Sequence, residues 1–235
     1  SGATPVYVPM MPGEPLDLDR VAAAFSDRTR AIIVNTPNNP TGNVLSRVEL
    51  EAIAELCRRH DAWAVTDEIY EHIYYEGEHI PIATLPGMAE RTITISGASK
   101  TFSVTGWRIG TIVAPAGVTD AIRKVHDFLT VGAPAPLQEA VAVALETLGD
   151  DYYEGLARDY RKRRDVLCAG LVRAGFRCQA PEGAYYVIAD FSDLSDLPDD
   201  QFAEWLTVER GVASVPGSSF CSRPELGRAW IRFAF

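Results

Sequence analysis

The chain is poor in lysine. Of its 22 basic side chains only Lys100, Lys124 and Lys162 are lysines; the rest are arginines. Chemistry that needs a deprotonatable amine therefore has three side-chain candidates, because a guanidinium stays charged. Positive charge is short overall: 32 Asp and Glu leave a formal net charge of -10, against the clustered basic surface that nucleic-acid binding needs. No apolar run approaches the roughly 20 residues of a membrane-spanning helix, and the amino end has no signal-peptide pattern. Cys57, Cys168, Cys178 and Cys221 are scattered without a C-x-x-C pair, which supports neither structural zinc nor a disulfide framework. His60, His72, His79 and His126 form neither a triad nor a metal spacing. These absences lead us to expect a cytoplasmic protein with no nucleic-acid partner and no membrane.

What is present is the composition of a globular chain: 235 residues, 47% hydrophobic and 23% charged, with sequence enough for a substantial core. Residues 17–26 read as a short helix and Ala31–Asn35 as a short buried strand. Ser46 and Glu49 make a capping box, S-x-x-E, that opens a helix running to about His60. Trp63–Thr66, Thr92–Ser96 and Ile109–Ala114 read as further strands. Strands alternating with helices predict an α/β sheet, mostly parallel. From Ala116 to about Gly149 the pattern turns helical, and a second helix is expected over Asp151–Ala174. Beyond it, strands are expected at Cys178–Phe191, Val212–Val215 and Ala229–Phe235, with a helix near Asp199–Arg210. This α+β texture predicts a boundary near residue 150, between a larger domain (1–150) and a smaller one (151–235). Residue 1 leads almost directly into a strand-like TPVYVP, and Phe235 stops inside an apolar strand pattern, so the expectation is a fragment of a longer chain.

Four features fall at the ends of predicted strands, where open α/β sheets bind ligands. Asn39-Pro40-Thr41-Gly42 follows the first strand and would aim the Asn39 amide into the crevice; the plainer reading is an ordinary Asn-Pro turn. Asp67-Glu68-Ile69-Tyr70 follows the second and offers a carboxylate and a phenol; the plainer reading is a helix-capping aspartate and a core tyrosine. Ser96-Gly97-Ala98-Ser99-Lys100-Thr101 follows the third, with small residues and hydroxyls suited to a phosphate and one of the three lysines. Its spacing is not that of the G-x-x-x-x-G-K-[ST] nucleotide loop. Thr105-Gly106-Trp107-Arg108 adds a guanidinium suited to a dianion. Trp107 itself is expected to pack in the core; Tyr185 and Tyr186 could line a substrate pocket, with core packing of at least one the expectation. Together, a lysine for a Schiff base, an anion for a pyridinium nitrogen, donors for a phenolate oxygen and a phosphate cradle meet the needs of pyridoxal 5′-phosphate.

The order N-N-P-T-G, T-D-E-I-Y, S-K-T-F-S-V-T-G-W-R-I-G resembles the class I/II aminotransferases, pyridoxal-phosphate enzymes of fold-type I. Within them it resembles most the branch acting on aromatic, methionine-like and kynurenine-type amino acids. The resemblance implies that Lys100 is the cofactor-bearing lysine and general base, and that Asp67 pairs with the pyridine nitrogen. It also implies that Tyr70 and Asn39 bond the phenolate oxygen and that Arg108 binds the phosphate. Arg232, in Trp230-Ile231-Arg232-Phe233, resembles the arginine that clamps the substrate carboxylate, assisted by Asn39; the plainer reading is a surface arginine on an edge strand. Gly97 stands where the family often has a phosphate-binding serine; Ser96 and Ser99 are the nearby substitutes, and Ser99 is the expected one. Amino-terminal strands, a Gly-rich phosphate turn and a ring-stacking aromatic of the family have no match here, nor has its carboxyl-terminal helix. The implied activity is ping-pong transfer of an amino group between an amino acid and a 2-oxo acid, in a homodimer of the full-length protein. A carbon–sulfur β-lyase on the same cofactor residues and a catalytically incomplete fragment are the alternatives.

Overall fold

A computed structural model of the chain describes residues 2–235. The first helix, α1 (Leu18–Ala24), starts where the Asp17 carboxylate accepts the Arg20 N–H, which satisfies one of the free donors of a first turn. Strand β1 (Ala31–Asn35) follows, then α2 (Arg47–Arg59). The capping box at the start of α2 is present: Ser46 accepts the Glu49 N–H, and a Glu49 oxygen accepts the Ser46 N–H at 2.6 Å. The other Glu49 oxygen takes the Leu16 N–H at 2.6 Å, which ties the segment before α1 to α2. Strands β2 (Trp63–Asp67) and β3 (Thr92–Gly97), the single turn α3 (Ala98–Thr101) and strand β4 (Gly110–Val113) complete the first sheet region.

These strands form one sheet in the order β1-β2-β3-β4, with the first three parallel and β4 antiparallel to β3. The mostly parallel α/β sheet read from the sequence is therefore present, with its last strand reversed. One face carries Val34 and Ala64 against Leu50, Ile53, Ala54 and Cys57 of α2 and against Ile82, Leu85 and Met88. The other face leaves Ile33, Ile95 and Ile112 exposed, Ile33 at 79%.

The stretch expected to be helical from Ala116 onward is two helices, α4 (Ala116–Thr130) and α5 (Ala135–Thr147). The break falls where Val131 takes a positive φ and Pro134 precedes the next helix, since proline blocks the helical conformation of the residue before it. Helix α6 (Asp150–Arg173) leads to β5 (Arg177–Cys178), β6 (Tyr186–Asp190), α7 (Asp199–Arg210), β7 (Val215–Pro216) and β8 (Trp230–Ala234). The strand read over Cys178–Phe191 is thus two strands. Between them residues 179–185 leave the sheet, because Pro181 and Gly183 bond elsewhere. Residues 212–214 are likewise outside β7.

This second sheet is antiparallel, in the order β5-β6-β8-β7. Alternation along its strands sends Val187, Ala189, Ile231 and Phe233 into a core with Phe191, Phe202 and Leu206. The rings of Phe191 and Phe202 stack with centroids 4.1 Å apart. The same alternation turns Tyr186, Ile188 and Arg232 the other way.

The 179–185 segment stitches the two sheets' surroundings together. Gly183 donates to Gly42 O at 2.8 Å, Ala184 to Ile73 O at 2.8 Å, and Tyr75 to Glu182 O at 2.7 Å. Arg164, buried, donates to Pro181 O at 3.0 Å and lies 4.8 Å from the Tyr75 ring centroid. Gly42 has φ +75, and a Cβ there would meet the Pro181 Cβ at 2.3 Å, so only glycine suits both the turn and the close approach. Among the described residues no helix is long and apolar enough to cross a membrane.

Two measurements test this packing. Glu49→Ala removes an ionised acceptor shared by two backbone donors, and is expected to lower unfolding free energy by about 2 kcal/mol in denaturant titration. Burial pushes the Cys57 thiol up to about 11, so it should resist alkylation at pH 8 in the folded protein and react once the protein is unfolded.

Candidate active site

Parallel strands bring their carboxyl ends to one side of a sheet. The register pairs Asn35 with Asp67 and Asp67 with Ile95, so the ends of β1, β2 and β3 form a row at about 4.8 Å per step. The loops leaving these ends carry the residues singled out from the sequence.

Asn35 anchors the first loop. Its amide donates to Asp67 O at 2.9 Å, and its Oδ1 accepts the Asn39 N–H at 2.8 Å. Asn38 closes the turn, its Oδ1 accepting the Thr41 hydroxyl at 2.8 Å and its N–H donating to Asn43 O at 2.9 Å. Asn39 is left exposed, and its Oδ1 accepts a bond of 2.8 Å from Arg232 Nη1, 193 residues away. The Asn-Pro turn is thus more than a turn: it presents an amide to the other sheet.

Arg232 lies on β8, which runs between β6 and β7, so the edge-strand reading fails. Its guanidinium sits between two rings, 4.2 Å from the Tyr186 centroid and 4.6 Å from that of Phe220. Its Nε is buried without a hydrogen-bond partner, an orphaned donor of the cation itself. Phe220 comes from the turn Gly217–Phe220, which the buried Asp199 holds by accepting the Ser218 N–H at 2.8 Å.

Asp67 ends β2. Its Oδ1 accepts only a long bond, 3.3 Å, from the Ile69 N–H, and it makes no ion pair among the described residues. The turns after it do not form a helix, so the capping reading is wrong. Alternation puts its neighbour Glu68 on the inside, where it accepts the Thr66 hydroxyl at 2.8 Å and lies 2.9 Å from His79 Nε2. The core reading of Tyr70 is right as far as burial goes: it is 3% exposed, in a cluster with Ile73, Tyr75, Ala184 and Tyr186. Its hydroxyl nonetheless reaches the interface between the sheets, donating to the Tyr186 hydroxyl at 3.0 Å. Burial first, and then this bond, hold the Tyr70 phenol far above its ordinary value.

Lys100 sits on α3 in a loop that closes where Ala98 donates to Ile109 O at 3.2 Å. Its Nζ lies 5.5 Å from the Tyr185 ring centroid and makes no ion pair among the described residues. Lys124 lies on the exposed α4, and Lys162 on α6 pairs with Asp159 at 3.2 Å. Lys100 is therefore the one lysine of the three on a loop leaving this row of strand ends.

Arg108 shares the Lys100 loop. It is exposed, has φ 58, and donates to its own turn at Thr105 O, 3.1 Å away. Ser103 also has φ 55; non-glycine residues pay for this conformation, and strain of this kind gathers at functional loops. Ser99 offers a half-buried side chain on the same turn, while its carbonyl takes the Thr105 hydroxyl at 3.1 Å. Gly97 has a steric reason to be glycine: a Cβ there would lie 3.0 Å from Ile109 O and 3.3 Å from Ile69 Cδ1. Trp107 departs from expectation, being 37% exposed on the loop and not in the core. Sequence reasoning missed Asn35 and Phe220, and for Tyr185 and Tyr186 it favoured core packing of at least one over lining a pocket; Tyr186 is the buried one, at 8% exposure. Only the position of Asn35 at a strand's end and the alternation through Tyr186 could have signalled them.

An α/β sheet whose parallel ends present one unpaired amine, a carboxylate and an amide, faced by a guanidinium from a second, antiparallel sheet, defines a class: a two-part enzyme-like α/β scaffold with its site between the parts. Residues 1–235 match the family described as aminotransferase class I and II, and the chain belongs to that family. It is 43% identical to a probable N-succinyldiaminopimelate aminotransferase of Mycobacterium tuberculosis, over 100% of this chain and 62% of that protein. It is 36% identical to human kynurenine–oxoglutarate transaminase 1, over 100% of this chain and 63% of that one. Among solved structures, an Escherichia coli protein with a methionine aminotransferase function superposes with a TM-score of 0.87 at 36% identity, covering 93% of this chain and 57% of that chain. The chain thus spans less than two thirds of the length of these relatives.

Proposed function

We propose that the protein is a pyridoxal-phosphate-dependent aminotransferase, moving an amino group between a neutral or aromatic amino acid and a 2-oxo acid. The observation that carries the reading is the placement of Lys100, alone among three lysines, on a loop of the rim that also bears Asp67 and Asn39. The donor set fits the cofactor. Lys100 would hold it through its amine, Asp67 would pair with the ring nitrogen, and Ser99 and Arg108 would take the phosphate. Asn39 would donate to the phenolate oxygen through Nδ2, because its Oδ1 is occupied by Arg232, and Tyr70 would do so through its hydroxyl. Bound there, the cofactor supplies an electron sink for the pair left behind when the substrate's α-proton departs.

The chain's own residues supply the rest. The orphaned Arg232 Nε and the guanidinium nitrogen not bonded to Asn39 would provide the planar donors that a carboxylate takes in pairs, and Asn39 fixes their orientation. Lys100, deprotonated, takes the α-proton and returns it, acting as a general base positioned by its loop. The rings of Tyr185 beside Lys100 and of Phe220 beside Arg232 support a neutral or aromatic side chain. The relatives' names, covering a succinylated diamino acid, kynurenine and methionine, are compatible with a broad side-chain pocket. We further propose residues 1–150 as the cofactor-binding domain and 151–235 as the smaller domain, in a cytoplasmic protein that pairs as a homodimer. The exposed Val125, Phe128, Leu129 and Val131 on and after α4 support self-association, as contiguous apolar surface does in general.

Two experiments test the reading. Borohydride reduction after addition of pyridoxal phosphate, followed by peptide mass mapping, should place the adduct on Lys100, and Lys100→Ala should abolish both the visible band and transamination. Adducts spread over Lys124 and Lys162 would sink it. Arg232→Lys should raise KM for the amino acid about tenfold with a smaller change in kcat, because an ammonium cannot reproduce the paired donors.

A further inference from the structure

One side chain touches both halves of the proposed site without belonging to either. Tyr186 pairs with Ala234 and Ile188 pairs with Arg232 across β6 and β8. Tyr186 and Arg232 are therefore diagonal neighbours on one face of the sheet, within reach of a long side chain. The Tyr186 ring lies under the guanidinium, 4.2 Å from centroid to Cζ. At its far end the Tyr186 hydroxyl accepts the Tyr70 hydroxyl at 3.0 Å, and both phenols are buried, at 8% and 3% exposure. Burial, the largest cause, pushes the Tyr186 phenol above its ordinary value.

We propose that Tyr186 is a positioning residue that couples the cofactor side of the site to its carboxylate side: its hydroxyl holds Tyr70, and its ring face holds Arg232. The inference rests on the function proposed above and adds a residue to it. The hydroxyl argument is one of donor counting. Each phenol has one O–H and can also accept. In the structure Tyr70 spends its proton on Tyr186. For Tyr70 to donate to an anionic oxygen of the cofactor, that bond must reverse, and Tyr186 then donates to Tyr70. The same 3.0 Å contact serves both states, and a donor behind Tyr70 strengthens the bond Tyr70 makes forward. The ring argument is separate. A guanidinium packed on an aromatic face is held in plane, which keeps its remaining donors aimed at the space beside Asn39.

Two substitutions separate these roles. Tyr186→Phe keeps the ring and removes the hydroxyl; Tyr186→Leu removes both. Pyridoxal-phosphate dissociation constants are measured for the wild type, Tyr186→Phe, Tyr70→Phe and the double variant. Binding of α-methylphenylalanine, which lacks an α-proton, is read from the visible band of each loaded protein. Tyr186→Phe should weaken cofactor binding three- to tenfold, the range of one neutral hydrogen bond. It should have less than a twofold effect when Tyr70 is already Phe, and should leave α-methylphenylalanine binding unchanged. Tyr186→Leu should in addition weaken α-methylphenylalanine about tenfold. Equal losses from Tyr186→Phe in both backgrounds, or no loss, would overturn the coupling to Tyr70. An unchanged ligand constant in a folded Tyr186→Leu protein would overturn the coupling to Arg232. Failure of the wild type to take the cofactor on Lys100 is a different result: it removes the proposed function itself, and this inference with it.

Discussion

The parallel register of β1, β2 and β3 is the constraint on which the site depends. Because Asn35, Asp67 and Ile95 stand in one row, three loops that are far apart in sequence leave the sheet side by side. Asn35 then uses its amide twice, once on the neighbouring strand's carbonyl and once on the Asn39 N–H. A shift of one residue in β2 would swap the faces of Asp67 and Glu68. The carboxylate of the rim would become the one that now bonds Thr66 and His79 inside. The core beneath the sheet packs α2 against the strands that carry this register.

The second sheet is built on the opposite logic. Its antiparallel strands alternate cleanly, so one face makes a core and the other delivers Tyr186 and Arg232 toward the first sheet. Delivery requires backbone to approach backbone, and Gly42 and Gly183 permit it: a Cβ at Gly183 would meet Pro37 Cβ at 2.7 Å. The bond from Arg232 to Asn39 is then the polar junction of the two parts at the rim, beside the backbone bonds of residues 182–184. Leaving the Arg232 Nε buried and unpaired costs on the order of 1–3 kcal/mol. A carboxylate bound there, as proposed above, would offset that cost.

Much of this was legible in the sequence, for identifiable reasons. Ala31–Asn35 and Asp199–Arg210 have the bounds that periodicity gave them, because a short β-branched run and an amphipathic run flanked by proline and glycine are unambiguous locally. The Ser46–Glu49 box is likewise a local interaction. Where the reading slipped, the deciding contact was remote. Residues 179–185 read as strand, yet they bond to Gly42, Ile73 and Tyr75. Trp107 read as core because it is large and apolar, but the loop closed by Ala98 and Ile109 carries it outward.

The sequence by itself determined most of the helices and strands, the lysine scarcity that leaves three candidates, and the order of motifs that marks the family. All of these depend on neighbours within a few residues or on residue type. Only the tertiary structure decided that Asn39 meets Arg232, that Tyr70 shares its proton with Tyr186, and which carboxylate of the Asp67-Glu68 pair faces the rim. Those outcomes depend on register, on strand order and on the path of a loop between two sheets. Such long-range contacts arise when separate surfaces are packed together, and no local pattern encodes them.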